Sequence, residues 1–349
     1  MTLSLNCFAS PMAIASPLVS IMIPTFRRPE LLMRALRSAV LQSTSIPFEI
    51  VVVDNEASRP YCDAVDKVVE TFPEGVVRLH RNPVNLGMVG NWNLCIQLAR
   101  SKWVSILSDD DFLEPYFLDS MAPYLGSSHA LLACIKYTKD MRQSHSPANR
   151  SIVPSPSQYL KNLFFSIMPR SFLVTREMLA LKNILGNPTG VLFDRAQALS
   201  VGGFRQSMYP SIDYDFWSRM SQCGQVRLVN QVQAAYVISI NESLRSSTME
   251  GFLRVDSCIR LALFECDSRS PFVRLLVARI VECLRERDCL YFRRSFGYVD
   301  SSGQASIAVS IYRLYWLLFG SRVGSGIMLI VLFVMNRLCS LSLRGARDT

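Results

Sequence analysis

Residues 19–55 read VSIMIPTFRRPELLMRALRSAVLQSTSIPFEIVVVDN. Val19 to Ile23 is a short β-favouring apolar run stopped by Pro24, as expected of a buried strand. Thr25 to Arg28 follows as a loop. Pro29 suits the first turn of a helix, where its missing N–H would have no partner anyway. From Glu30 to Gln42, Leu32, Leu36, Ala39 and Val40 fall on one side, with Glu30 and Arg34 spaced as an i,i+4 pair. Phe48 to Val53 is a second buried strand, ending at Asp54-Asn55. Strand, helix and strand within about 36 residues is the length of one right-handed βαβ unit.

The alternation continues outward. Helices are predicted over 61–72 and 89–100, with strands over 76–80, 103–107 and 131–137. Such alternation predicts an α/β fold with a mainly parallel sheet and helices on both faces. A ligand then sits beyond the C-terminal strand ends. Asp54 and the triplet Asp109-Asp110-Asp111 both lie at such ends, so the pattern predicts one shared site. Residues 138–160 read as a loop. Gly190 to Phe193 reads as a returning strand and Gly202-Gly203-Phe204 as a turn. Ser211 to Cys223 reads as a helix ended by Gly224. Val226 to Val229 and Ala234 to Ile240 read as two strands, and 250–291 as helical.

The chain has 349 residues, is 50% apolar and only 19% charged, which excludes an intrinsically disordered polymer. Its charge of +9 is uneven: residues 269–349 hold 12 Arg against 5 acidic side chains, and no Lys. A basic, apolar tail on a near-neutral body points to an anionic membrane surface and not to nucleic acid. Residues 323–336 carry no charge between Arg322 and Arg337, and 305–320 is broken only by Arg313, with Tyr312, Tyr315 and Trp316 nearby. A spanning helix needs ~20 apolar residues. These segments fit helices in or near the headgroup layer, with a buried soluble pair or a true span as alternatives. The ten cysteines form no CxxC pair and suit a reducing compartment. The first 17 residues lack a basic region ahead of their apolar stretch and read as a loose leader, not a signal peptide.

Three clusters carry chemistry. Three adjacent carboxylates repel unless neutralised. Oxygen-only ligands suit Mg²⁺ or Mn²⁺, usually shared with substrate phosphates; a solvated turn is the plain alternative. Asp213, near a helix start, is a carboxylate base or an N-cap. Asn85-Leu86-Gly87, followed by Gly90 and Asn93, either lets backbone approach an anion ahead of a helix or is an ordinary turn.

Taken in order, several stretches resemble the family-2 glycosyltransferases of GT-A fold. They are Val19 to Arg28, Glu49 to Asn55, Asn85-Leu86-Gly87 with Asn93, Ile106 to Leu113, Gly202-Gly203-Phe204 and Asp213-Tyr214-Asp215. The resemblance covers roughly residues 18 to 240. It implies a Rossmann-like nucleotide-diphospho-sugar transferase domain that moves one sugar from a nucleotide-sugar donor to an acceptor hydroxyl, with inversion. By position, Pro24, Thr25, Arg27, Asp54, Asn85, Gly87, Asn93 and Asp109 would bind the donor. Asp110 would hold the metal, Mn²⁺ or Mg²⁺, and Asp213 would be the catalytic base. Asp111 would be peripheral or a helix cap.

The chain also departs from the family pattern. Ser108 stands where an acidic residue usually opens the metal motif, and Ile212 where one precedes the base. Tyr236-Val237-Ile238-Ser239 lacks the usual Arg and His, and no processive Q-x-x-R-W motif occurs. The expected organisation is a leader over 1–17, the GT-A domain over 18–240, a helical extension over 241–304 and a membrane-associating tail over 305–349. The expected role is in bacterial surface polysaccharide synthesis, on a glycan or lipid-linked sugar acceptor. The expected location is the cytoplasm, peripheral on the cytoplasmic face of the inner membrane. A non-catalytic scaffold of the same fold is the alternative.

Overall fold

A computed structural model describes residues 16–126, 128–141, 169–238, 245–265 and 271–298. The leader, most of the 138–160 loop and the basic tail from 305 lie outside the described residues. Strand β1 (Val19–Thr25) is buried along its whole length. It pairs in parallel with β2 (Phe48–Asp54) on one side and β4 (Trp103–Ile106) on the other, while β2 pairs in parallel with β3 (Val77–Arg81). The strand runs through Pro24 instead of stopping before it. Pairing with β4 ends at Met22, so Pro24 has a neighbour on the β2 side only, and an edge-like position tolerates the missing N–H.

Helix α1 (Pro29–Val40) starts at its proline and carries Glu30 in the first turn and Arg37 in the last, each matched to the helix dipole. Its buried Leu32, Ala35, Leu36 and Ala39 pack with Val19, Ile21 and Ile23 of β1, Ile50 and Val52 of β2, and Val65 and Val68 of α2 (Tyr61–Glu70). Leu32 and Leu36 are fully buried, stabilising the fold by ~1.5–3 kcal/mol each. The alternate residues Met22, Val51 and Val53, turned to the opposite face by the two-residue period of a strand, are equally buried. Helix α3 (Gly87–Leu98) lies against β1, β2 and β4.

The other half of the sheet is not parallel throughout. Short β5 (Phe112–Leu113) is followed by helix α4 (Phe117–Met121), then β6 (His129–Asp140), β7 (Ser171–Leu173), β8 (Val191–Asp194) and β9 (Gln225–Ile238). The strand order is β3-β2-β1-β4-β8-β6-β9-β5, with β7 also on β9. β8 runs antiparallel to both β4 and β6, while β6 and β9 are parallel. The expectation of a mainly parallel sheet thus describes the first four strands, and the remainder is mixed. The two strands predicted over 226–240 are one strand. Its polar middle, Asn230 to Gln233, coincides with register shifts against β6, and the strand pairs with β7 before this irregularity and with β5 after it.

Helix α5 (Arg176–Leu181) is capped by the Thr175 hydroxyl, α6 (Arg195–Ser200) by the Asp194 carboxylate, and α7 (Ile212–Met220) carries Asp213 in its first turn. Described residues 16–141, 171–173 and 185–238 form one compact unit. The other contains 174–184 and two helices, α8 (Ser246–Glu265) and α9 (Pro271–Phe296), that divide the single helical stretch expected there. In that second unit Met249, Leu253 and Tyr298 are buried together with Phe292 and Phe296, and Arg260 pairs with Asp288 at 2.6 Å.

Candidate active site

The site begins where β1 ends. Thr25 Oγ1 donates to Asp109 Oδ2 at 2.9 Å, so the strand end holds the turn that follows β4. Arg28, the residue ahead of α1, brings Nη1 to 3.5 Å from Asp109 Oδ1 and 3.7 Å from Asp110 Oδ2. Arg34, two turns into α1, donates from Nη2 to the Asp110 carbonyl at 2.9 Å. Two helix arginines thus hold the acidic turn from one side. Burial is the main cause raising the Asp109 carboxyl, to about 6; the adjacent Asp110 charge adds to it and Arg28 opposes it. Burial also raises Asp110, against the Arg28 and Arg34 charges.

Asp111 turns away from its neighbours. Its Oδ2 accepts from Asn187 Nδ2 at 2.6 Å and Thr189 Oγ1 at 2.8 Å, and its Oδ1 from the Val237 N–H at 2.8 Å. It caps no helix; it ties the turn to β9 and to the loop before β8. Buried Asp109 and half-buried Asp110 are left facing Arg28. Among the described residues no group of three or more His, Cys, Asp and Glu is arranged to hold a metal. Two carboxylates that share one arginine still fit a hard divalent cation whose remaining ligands come from a diphosphate.

The other predicted donor residues divide into two sets. Asn85 Oδ1 accepts from Asn55 Nδ2 and from the Gly87 N–H, each at 2.8 Å. Gly87 has φ of 71°, which a side chain would strain. Both are exposed at the mouth beyond β2. Arg27 stacks between the rings of Phe26 and Tyr61 and pairs with Glu56 at 2.5 Å. Asp54 and Asn93 are placed differently from the expectation. Asp54 is fully buried and faces inward: Oδ2 takes Arg81 Nε at 3.1 Å and Oδ1 takes the Glu56 N–H at 3.1 Å. Burial raises its carboxyl and Arg81 opposes that rise. Asn93 gives both ends of its amide to the Phe204 backbone, at 2.9 and 2.7 Å, pinning the Gly-Gly-Phe turn onto α3. An asparagine that follows glycines in the first turns of a helix looks the same in sequence whether it serves a ligand or the fold.

Asp213 is half-buried in the first turn of α7, and its Oδ1 accepts from the Tyr214 N–H at 2.7 Å. Asp215, two residues on, is a structural anchor paired with Arg205 and with Arg219 at 2.8 Å. Sequence reading missed Lys136. Its ammonium donates to the Leu185 carbonyl at 2.6 Å, to the Asn187 carbonyl and to Asn187 Oδ1 at 3.1 Å. Burial lowers Lys136 to about 8, while Cys134, Asp111 and Asp213 each favour its charged form. The turn carrying the triplet and the helix carrying Asp213 therefore each bring a carboxylate toward this part-buried ammonium. The arrangement can bind an anionic group beside two carboxylates and offers a further carboxylate as a proton acceptor.

A Mycobacterium tuberculosis protein described as uncharacterized is 31% identical over 217 residues, spanning 59% of this chain and 62% of that protein. The putative colanic acid biosynthesis glycosyl transferase WcaA of Escherichia coli is 25% identical over 207 residues, 59% of this chain and 66% of its own. The chain thus spans less than two thirds of these relatives. The mannosyltransferase PcManGT of Pyrobaculum calidifontis, solved with GDP-Man and Mn²⁺, shares the fold with a TM-score of 0.52 at 14% identity, over 91% of this chain and 89% of that one. Residues 20–181 match the model of glycosyl transferase family 2.

Proposed function

We propose that the protein transfers a single sugar from a nucleotide diphosphate donor to an acceptor hydroxyl with inversion. The observation that carries this reading is the Thr25–Asp109–Arg28–Asp110 cluster beyond the C-terminal ends of β1 and β4. Pro24, Thr25, Arg27, Asn85, Gly87 and Asp109 bind the donor. Asp54 and Asn93 hold the backbone that surrounds it. Arg28 offers positive charge toward the diphosphate. Asp213 accepts the proton of the acceptor hydroxyl while that oxygen attacks the anomeric carbon from the face opposite the leaving diphosphate, a contribution of ~10²–10⁴-fold in rate. Asp110, with Asp109 beside it, would hold a divalent cation, Mn²⁺ or Mg²⁺, which would neutralise charge developing on the departing diphosphate.

The relatives support the wider setting. WcaA is named for colanic acid biosynthesis, which favours a role in bacterial surface polysaccharide assembly. The basic, apolar tail favours a lipid-linked acceptor at the cytoplasmic face of the inner membrane. The test is acceptor-dependent release of nucleoside diphosphate from a panel of nucleotide sugars, with Mn²⁺ or with chelator, and NMR of the product linkage. Release that depends on Mn²⁺, with an inverted anomeric centre, supports the reading. A retained anomer, or no turnover with any donor, contradicts it. Removing 305–349 should abolish vesicle binding; unchanged vesicle binding contradicts the membrane assignment.

A further inference from the structure

We propose that Lys136 is a positioning residue for the base: it holds the 185–187 loop that joins the acidic turn to α7, the helix carrying Asp213. This rests on the transferase reading and extends it to a residue outside the family motifs. Three contacts build the device. Lys136 is gripped by the carbonyls of Leu185 and Asn187 and by Asn187 Oδ1. Asn187 donates onward to Asp111 at 2.6 Å, which ties the loop to the turn after β4. Trp217 of α7 donates from Nε1 to the Gly186 carbonyl at 2.8 Å, tying the same loop to the helix of the base. Gly186, at φ of 63°, allows the loop to fold over the ammonium.

The charges around Lys136 are Asp111 on the turn after β4 and Asp213 on α7; Cys134, on its own strand, is kept a neutral thiol by burial. Asp111 is itself hydrogen-bonded through both oxygens.

The test is the pH profile of kcat for the full chain and for Lys136→Met, which keeps the aliphatic stem and removes the charge. The expected result is kcat at neutral pH reduced about tenfold or more, KM for the donor within about twofold, and loss of the decline in kcat around pH 8 that the unmodified chain shows as Lys136 discharges. An unchanged kcat, or equal losses in kcat and donor affinity, overturns the proposal. Should Lys136→Met not fold, the unmodified chain decides: its kcat should decline on the alkaline side around pH 8, and a flat profile to pH ~9.5 overturns the idea. Asp213→Asn run in parallel separates the two levels. Retained transfer there removes the base itself, whereas lost transfer there with an unchanged kcat in Lys136→Met removes only Lys136.

Discussion

The Thr25 hydroxyl lies 2.9 Å from Asp109 Oδ2 and joins the end of β1 to the turn after β4. This one bond ties together two stretches 84 residues apart, and both are almost fully buried. Replacing Thr25 by Val keeps the shape and β preference but removes the donor. Hydrogen bonds to charged groups contribute ~1.5–3 kcal/mol, so Thr25→Val should lower stability by about that amount in urea unfolding. It should also weaken nucleotide-sugar binding, since the acidic turn loses its anchor; unchanged stability and binding would contradict this.

Asp109 makes the site pH-dependent. Its carboxyl moves from 3.8 to about 6 on folding, chiefly through burial. Between those values the folded chain keeps a proton that the unfolded chain has released. This group therefore stabilises the fold below about pH 4, and its contribution is lost as pH rises through about 6. Binding a cation needs the ionised form, so Mn²⁺ with a nucleoside diphosphate should bind more tightly as pH rises through about 6 and should release protons. Calorimetry in two buffers of different ionisation enthalpy measures this. Proton uptake on binding is the contrary result.

Arg81, at the end of β3 and partly exposed, pairs with the fully buried Asp54 at the end of β2. Arg81→Met would leave a fully buried carboxylate without its cation. Breaking such a pair costs ~3–5 kcal/mol, which a shift in denaturation midpoint at constant m-value would show. A shift below about 1 kcal/mol would mean that Asp54 finds water or another partner.

Asn93→Ala tests its placement in the fold and not in the crevice. Two hydrogen bonds to the buried Phe204 backbone vanish, at a cost of ~1–3 kcal/mol. Donor affinity of the folded protein should remain within about twofold. Gly203→Ala should be at least as damaging, because φ is 66° there and a Cβ would come within 2.3 Å of Asn93 Oδ1. Normal stability with lost donor binding in Asn93→Ala would return that residue to the site.

The βαβ start was legible because its strands are short apolar runs and its helix has a proline at the first turn and one apolar side. The mixed half was harder to read. β8 is a three-residue apolar run closed by Asp194, and strand direction leaves no mark in composition. β9 reads as two strands because its polar middle coincides with register shifts. Within the site, the acidic residues could be found as clusters, but their division of labour could not. Asp109 and Asp110 face Arg28 while Asp111 faces Asn187 and Val237, a split set by pairings 76 and 126 residues away. Lys136 is one of two lysines in β6, and only the loop folded over it marks it as unusual.

The most direct measurement is transfer and donor binding by Asp213→Asn beside Asp110→Asn. Asp213→Asn should lose transfer by ~10²-fold or more while binding the nucleotide sugar normally. Asp110→Asn should lose the Mn²⁺-dependent part of that binding. Undiminished transfer by a folded Asp213→Asn protein would contradict the assignment of Asp213 as the base.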